Sequence, residues 1–386
     1  MFHSRFFIAT ILLCISVLFS QNYYPIILMH GFLGWGRDEM AGYYYWGGRT
    51  DLEAVLREGG YEVYTVSVGP ISPNFDRAIE AFYQIKGGQV DYGNEKAERL
   101  GIIQRPIQKN YIGLYPLWDS DHPVHIISHS QGGQTARMLE MLLKESIPGE
   151  ASPLFANEHY GWIKSITTIS TPHNGSTLVP IMIDIFPFAL NLAPWLGGIE
   201  LEKVDNLYSF DLEQWGVERY SGEPLLEYYR RIGDSPLANS MNLCTWDLSP
   251  DGSKEFNKQY VIDPDVYYFS FPTYATSAKN ELDKHRPDSN MSFHLWTTSL
   301  LMGYDSNAPD YTWYENDGVC NTVSMTHPFG FPVETYSGTP KTGIWQVFEK
   351  LYLDHQAVIG HSISKKKFAN IIVYYNNHSK LLYSLK

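Results

Sequence analysis

The chain has 386 residues, of which 44% are hydrophobic and 18% are charged, so it can bury a substantial core in one large domain or two ordinary ones. Its formal net charge of −13 argues against a nucleic-acid partner, because nucleic-acid binding depends on basic surfaces that attract phosphates.

At the N-terminus, a basic residue precedes a short apolar run, a pattern typical of a secretory signal. Arg5 is followed by FFIATILLCISVLF (6–19), then by Ser20 and a polar segment. The run is short for a membrane span. We therefore expect residues 1–20 to be a signal peptide, residues 21–386 to be the mature secreted chain, and no stable transmembrane span. An uncleaved anchor is the alternative.

Two cysteines, Cys244 and Cys320, remain after the signal. They allow one disulfide, but two buried free thiols fit equally well. The chain is therefore not a disulfide-rich scaffold.

After the signal, apolar runs alternate with amphipathic helical patterns. The predicted strands are YPIILMHG (24–31), YEVYTVSVG (61–69), PVHIIS (123–128), WIKSITTIST (162–171) and VYYFSF (266–271). The predicted helices are DLEAVLREGG (51–60), NFDRAIEAFYQIKGG (74–88) and GGQTARMLEMLLKES (132–146). This alternation predicts an α/β fold with mostly parallel strands flanked by helices. It fails between about 176 and 265, which we interpret as an insertion.

A candidate nucleophile lies where a predicted strand turns sharply into a helix. Ser130 follows PVHIIS and precedes a glycine-rich helix start. Such a turn exposes the serine hydroxyl, needs small neighbours, and points free helix amides at a developing oxyanion. The usual pattern is Gly-x-Ser-x-Gly, and here Ser128 replaces the first glycine. A serine that merely caps a helix is the alternative.

Three further features favour catalysis. The loop HGF (30–32) follows the first strand and could offer a backbone amide to an oxyanion. Asp317, in YENDGVC, and His355, in YLDHQAV, follow the last predicted strand. Taken singly, the HGF loop can be interpreted as an ordinary glycine turn, the Asp317 segment as a plain turn, and His355 as a structural histidine. Together, the order Ser130, Asp317, His355 is the order of an α/β-hydrolase triad.

Asp354 is the tempting alternative partner for His355, because it is adjacent in sequence. Neighbouring side chains usually diverge, however, and the acid in this fold comes from a separate loop. We therefore expect Asp317 to contact the His355 ring.

The motifs together resemble a known family. The segments YPIILMHGFLGWGRDEMAGYYYWGG, SVGPISPNFDRA, KGGQVDYG, SHSQGGQTARML, TTISTPHNGSTL and YENDGVCNTVSM, with the final Asp-His pair, resemble the secreted true lipases of staphylococci and thermophilic bacilli. The resemblance implies an α/β-hydrolase fold with a lid-bearing insertion and cleavage of acyl esters, including triacylglycerols, at lipid–water interfaces.

Carried over by position, the resemblance implies that Ser130 is the nucleophile, His355 the general base and Asp317 its partner. It also implies that the backbone amides of Phe32 and Gln131 form the oxyanion hole. The nearest alternatives are an esterase, phospholipase or thioesterase with the same triad. A non-catalytic lipid-binding protein is the alternative from another class.

The zinc site of the family, two aspartates and two histidines, does not carry over completely. Asp76 and Asp247 match the aspartates, whereas Lys96 and Ile102 stand at the histidine positions. Two carboxylates alone make a poor structural zinc site, so we expect no zinc. We expect Lys96 to supply the missing charge by pairing with Asp76 or Asp247. The alternative is an exposed lysine in the polar segment NEKAER.

The calcium site of the family uses carboxylates just after the catalytic histidine. The corresponding segment here, HQAVIGHSIS (355–364), contains none. Calcium prefers several oxygen ligands, usually including carboxylates. We therefore expect no calcium and no other cofactor.

The insertion opens with an almost wholly apolar stretch from Leu178 to Leu196, interrupted by Pro180, Pro187 and Pro194. Three prolines argue against a membrane span. Because the resembled family carries its flap here, we expect a lid with at least one helix between Leu178 and Gly198. A buried core helix is the alternative.

Overall fold

The structure is a computed structural model that describes residues 21–185, 208–240, 242–280, 283–361 and 363–386. Its strands are β1 (Ile26–Met29), β2 (Val63–Val66), β3 (Gly88–Gln89), β4 (Asn110–Tyr111), β5 (Val124–His129), β6 (Ile163–Ile169), β7 (Tyr267–Phe271), β8 (Thr273–Tyr274), β9 (Thr276–Ser277), β10 (Arg286–Pro287), β11 (Val333–Thr335), β12 (Trp345–Val347) and β13 (Leu351–Tyr352). Its helices are α1 (Leu52–Glu58), α2 (Asn74–Lys86), α3 (Asn94–Leu100), α4 (Gln131–Leu143), α5 (Leu178–Ile185), α6 (Leu225–Gly233), α7 (Pro236–Ser240), α8 (Cys244–Leu248), α9 (Pro250–Gln259), α10 (Trp296–Gly303) and α11 (Lys365–Tyr383).

Seven strands form the central sheet, in the order β11-β12-β7-β6-β5-β1-β2. Every neighbouring pair in it is parallel. Helices flank the sheet; α2 packs against α4, and α1 packs against α11. This arrangement is an α/β-hydrolase fold, so the predicted fold class is confirmed.

The local signals in the sequence explain why these elements form. All four residues of β1 are buried, as expected of an interior parallel strand covered on both faces. Helix α1 begins after Asp51, whose carboxylate accepts a hydrogen bond from the Ala54 amide, and it ends at Gly59. Each predicted strand and helix before the insertion is present, and β7 lies within the predicted run VYYFSF.

Parallel pairing brings the carboxyl ends of the strands to one edge of the sheet. Ser130 follows β5, the loop His30–Phe32 follows β1 beside it, and Thr273 lies just beyond β7. In open α/β sheets this edge is where ligands bind. The fold therefore collects the candidate site residues from distant parts of the chain.

Between β6 and β7 the described residues form helices α5–α9 rather than further strands of the sheet. The predicted lid begins as helix α5, while its remainder, 186–198, lies outside the described residues, as does the predicted signal peptide, 1–20. No helix in the described part of the chain is long and apolar enough to cross a membrane. Cys244 and Cys320 are both buried and free, so they do not form a disulfide.

Candidate active site

The turn at Ser130 is strained and crowded. Ser130 has φ +56° and ψ −130°, in a region that residues other than glycine rarely adopt. A Cβ atom at Gly132 would lie 2.3 Å from the Met29 carbonyl oxygen, and one at Gly133 would lie 2.2 Å from Thr171 Oγ1. Larger residues therefore cannot replace these two glycines while the helix packs this closely against the sheet.

Ser128 occupies the place of the first glycine in the usual motif without disturbing the turn. Its side chain is fully buried, and its hydroxyl donates a 2.7 Å hydrogen bond to the Thr167 carbonyl on β6. A buried hydroxyl needs such a partner. The departure from the motif therefore adds one bond between neighbouring strands.

His355 and Asp317 form a buried pair, with 2.7 Å between His355 Nδ1 and Asp317 Oδ2. The His355 amide also donates to the Asp317 carbonyl at 3.0 Å. Because a carboxylate can only accept, Nδ1 carries the proton and Nε2 remains the free base. Asp354 instead accepts hydrogen bonds from the amide and hydroxyl of Ser292. The expected pairing of His355 with Asp317 is the one observed.

Three further donors orient the Asp317 carboxylate. Its Oδ1 atom accepts from the amides of Val319 and Cys320, at 3.0 and 2.8 Å. Its Oδ2 atom accepts from the Thr273 hydroxyl at 2.7 Å. These bonds hold the carboxylate in place against the His355 ring. Thr273 belongs to no motif, and only its place just beyond β7 could have pointed to it.

Ser130 lies close to this pair. The ring of His129, its neighbour in sequence, has its centroid 4.6 Å from that of the His355 ring. Ser130 itself is buried, with 6% of its surface exposed. Within the described residues its hydroxyl is not hydrogen-bonded to His355, a contact that often tightens only when substrate binds.

The two predicted oxyanion donors flank Ser130. Gln131 is the first residue of α4, where a helix leaves its amides without intrahelical partners. On the other side, a Cβ atom at Gly31 would lie 2.6 Å from Ser130 Cβ, so the loop that carries Phe32 lies directly against the serine. The next amide, of Leu33, is already used by the Pro70 carbonyl. The geometry fits the predicted hole, while its catalytic role stays a prediction.

The positions of the family's zinc ligands hold an ammonium group instead. The Lys96 ammonium contacts the Asp76 carboxylate, and both side chains are buried. Asp247 accepts from the Asn74 amide at 2.6 Å. Burial, followed by nearby Arg99, lowers the pKa of Lys96, which Asp247 partly offsets, and burial raises the pKa of Asp247 to about 6. The expected pairing of Lys96 with Asp76 is confirmed.

This donor set does not fit zinc. An ammonium group has no lone pair and repels a cation, and Ile102 offers only carbon atoms. The segment that follows His355, up to residue 364, contains no carboxylate, the ligand that calcium sites usually include. In the described part of the chain, the one cluster of three possible metal ligands is Asp317, Cys320 and His355, which belongs to the site above.

Comparisons with known proteins show which chains this one is similar to. The family model described as "Lipase-like, C-terminal domain" matches residues 22–380. A lipase of Staphylococcus epidermidis is 34% identical over 361 residues, which cover 90% of this chain and 51% of that protein. The chain thus spans about half the length of the curated relatives it matches.

Two solved structures are similar over nearly their whole lengths. EstA from Clostridium botulinum has a TM-score of 0.84 and 35% identity, covering 95% of this chain and 88% of that one. Lipase 1 from Pelosinus fermentans has a TM-score of 0.81 and 37% identity, covering 95% of this chain and 100% of that one.

Proposed function

Because the chain belongs to the family of lipase-like C-terminal domains, we propose that it is a secreted carboxylic-ester hydrolase of the triacylglycerol lipase type. The observation that carries the proposal is the 2.7 Å contact between His355 and Asp317, beside the strained turn at Ser130. The names of the S. epidermidis and P. fermentans relatives support the substrate class. The apolar run at 6–19 supports secretion.

In the proposed mechanism, His355 Nε2 removes the Ser130 hydroxyl proton as Oγ attacks the ester carbonyl carbon. The carbonyl oxygen becomes an oxyanion and accepts hydrogen bonds from the amides of Phe32 and Gln131. The intermediate then collapses, and the alcohol leaves with the proton held by His355. Water, deprotonated by His355, attacks the acyl-enzyme in the same way, and Ser130 regains its proton when the acid leaves. Asp317 stabilises the imidazolium throughout.

Exposed apolar side chains near the site support action at a lipid surface. Phe293 is 83% exposed, Trp296 38% and Leu300 40%. They belong to the segment that packs on the loop of the catalytic acid through Leu295, whose Cβ would lie 2.8 Å from a Cβ atom at Gly318. Apolar surface beside a site is typical of proteins that bind lipid or other apolar partners. With the predicted lid at 178–198, this surface would meet lipid around the site.

The test is hydrolysis of triacylglycerols of graded chain length and of soluble short esters, each below and above its solubility limit. For a lipase we expect the rate on triacylglycerol to rise steeply above that limit, because the enzyme then binds a lipid surface. Hydrolysis of soluble esters alone would indicate an esterase, and faster cleavage of phospholipids or thioesters would indicate those activities. A protein that hydrolyses nothing and does not react with a fluorophosphonate probe would be a lipid-binding protein.

We further propose that the activity requires neither zinc nor calcium. The contact between Lys96 and Asp76 supports this, because it supplies a positive charge where the resembled family places a metal. The Lys96 ammonium also lies 4.6 Å from the centroid of the Phe75 ring, a favourable cation–π distance. A chelator should therefore leave both ester hydrolysis and the midpoint of thermal unfolding unchanged.

Replacing Lys96 with methionine is expected to lower the free energy of unfolding by about 3 kcal/mol or more at neutral pH, because it leaves the buried Asp76 carboxylate without a cation. Burial without a cation would raise the folded-state pKa of Asp76 above its unfolded value. Such a group stabilises the fold at low pH and loses that contribution as the pH rises through the folded pKa. The deficit should therefore shrink at acid pH.

The measurement is urea unfolding at several pH values. Lys258→Met is the control, because the ion pair of Lys258 with Glu255 is exposed and should contribute little to stability. An equal loss of unfolding free energy in Lys96→Met and Lys258→Met would contradict the proposal that Lys96 neutralises the buried Asp76. A wild-type protein that is destabilised by chelator would contradict the absence of a metal.

A further inference from the structure

Two buried side chains behind the catalytic serine have no part in the proposed mechanism. Tyr45 lies in the aromatic segment YYYW that follows the first loop, and His129 is the last residue of β5. Tyr45 is 6% exposed and His129 1% exposed. The Tyr45 oxygen lies 2.6 Å from His129 Nδ1, so the two form a direct hydrogen bond.

Each of the two residues also bonds to the catalytic loops. The Gly31 amide, next to the predicted oxyanion donor Phe32, donates to the Tyr45 oxygen at 2.9 Å. On the other side, His129 Nε2 lies 2.9 Å from the backbone carbonyl oxygen of His355. The pair therefore lies between the loop after β1 and the loop of the general base.

The chemistry of the groups determines the direction of every bond in this chain. A carbonyl oxygen can only accept, so His129 Nε2 must carry a proton and donate it to His355. In a neutral ring, Nδ1 is then an acceptor, and the Tyr45 hydroxyl must donate to it. The Tyr45 oxygen is left to accept from the Gly31 amide, which can only donate. All three bonds are satisfied by a single arrangement of protons.

That arrangement is stable to changes of pH. Burial, followed by the nearby His355, lowers the pKa of His129 well below its usual range. Burial raises the pKa of the Tyr45 hydroxyl above its ordinary value. Both groups therefore stay neutral over the pH range in which a hydrolase works, and neither adds a charge beside the triad.

We propose that Tyr45 and His129 are positioning residues, which hold the oxyanion loop and the general base in one register on either side of Ser130. This inference rests on the proposed function and deepens it. The two halves of the site come from chain segments more than 300 residues apart, and no hydrogen bond between described residues joins Gly31 directly to His355. Since a displacement of about 1 Å can cost about 10²-fold in rate, full turnover requires a link between them.

The test is Tyr45→Phe, which removes one hydroxyl and leaves the ring. We expect kcat on a soluble ester to fall about 10- to 100-fold, with KM changed less than about threefold, because the reacting groups lose their alignment while the acyl pocket remains. Tyr83→Phe is the matched control: Tyr83 is also buried and shares one 3.0 Å hydrogen bond, with Ser152, away from the site. It should lower stability similarly and leave kcat unchanged.

A second pair of variants keeps the proposal testable if Tyr45→Phe fails to fold. His129→Gln retains an N–H donor within reach of the His355 carbonyl, whereas His129→Leu has none. We expect the glutamine variant to keep severalfold more kcat than the leucine variant. Equal kcat in these two, or kcat of Tyr45→Phe equal to that of Tyr83→Phe at equal thermal stability, would overturn the proposal.

Ser130→Ala, measured in the same series, separates this inference from the proposed function. If wild-type protein hydrolyses the ester and Ser130→Ala does not, the hydrolase assignment stands whatever the Tyr45 variant does. If Ser130→Ala remains active, the proposed function fails, and the proposal for Tyr45 and His129 fails with it.

Discussion

Replacing Ser130 with alanine is expected to lower ester hydrolysis by about 10⁴-fold or more while the protein stays folded. The reason is that the Ser130 hydroxyl stands at the turn where the helix amides and the loop after β1 meet, whereas the nearby Tyr45 hydroxyl is already bonded to His129. The measurement is kcat/KM on a soluble ester, with circular dichroism and thermal unfolding to verify the fold. Alanine keeps the Cβ atom of residue 130, so the packing contacts of that atom are retained.

Ser128→Ala is the matched control, two residues earlier in the same motif. Its hydroxyl points to the Thr167 carbonyl, so its loss should cost about 1 kcal/mol of stability and little activity. Substantial hydrolysis by folded Ser130→Ala, or an equal loss of activity in both variants, would contradict the assignment of Ser130 as nucleophile.

Replacing Asp317 with asparagine is expected to lower kcat by about 10⁴-fold. An asparagine can turn its amide toward His355 Nδ1 and donate to it, which forces the ring proton onto Nε2 and leaves no base for Ser130. The shape of the site hardly changes, so KM should stay close to that of the wild type. Steady-state kinetics on the soluble ester provide the measurement.

Asp354→Asn is the matched control, because Asp354 is the other buried carboxylate beside His355 in sequence. Its oxygens accept hydrogen bonds from Ser292 and from the amides of Gln356 and Ala357. Asp354 therefore connects the loop that contains Ser292 with its own loop. We expect reduced stability but a loss of kcat below about tenfold. A larger loss in Asp354→Asn than in Asp317→Asn would reverse the assignment of the acid.

Much of the candidate site could be predicted because its signals are local. The turn at Ser130 is recognisable from small residues between an apolar run and a helical pattern. The apolar run, the small residues and the helical pattern each involve only a few neighbouring residues. Thr273, Tyr45 and His129 could not be found in this way. Their roles come from hydrogen bonds to residues remote in sequence, for which no local pattern exists.

The same distinction applies to Lys96. The sequence showed that two carboxylates lacked their usual histidine partners, and it left open whether the lysine was buried beside them or exposed in a polar segment. Only the tertiary structure, which brings Lys96 of α3 to Asp76 of α2, places its ammonium there. Burial depends on which helix faces come together, and one residue type at one position does not specify that.

By itself, the sequence determined the main strands and helices from β1 to β6, the parallel α/β class and the strained serine turn, because hydrophobic periodicity and turn chemistry act over a few residues. The tertiary structure confirmed Asp317 as the carboxylate that contacts His355. It alone decided that Cys244 and Cys320 stay unpaired and how Tyr45 and His129 connect two loops. These contacts depend on the sheet order β11-β12-β7-β6-β5-β1-β2, which brings together segments hundreds of residues apart. Their formation is governed by the packing of the whole domain rather than by the preferences of any single segment.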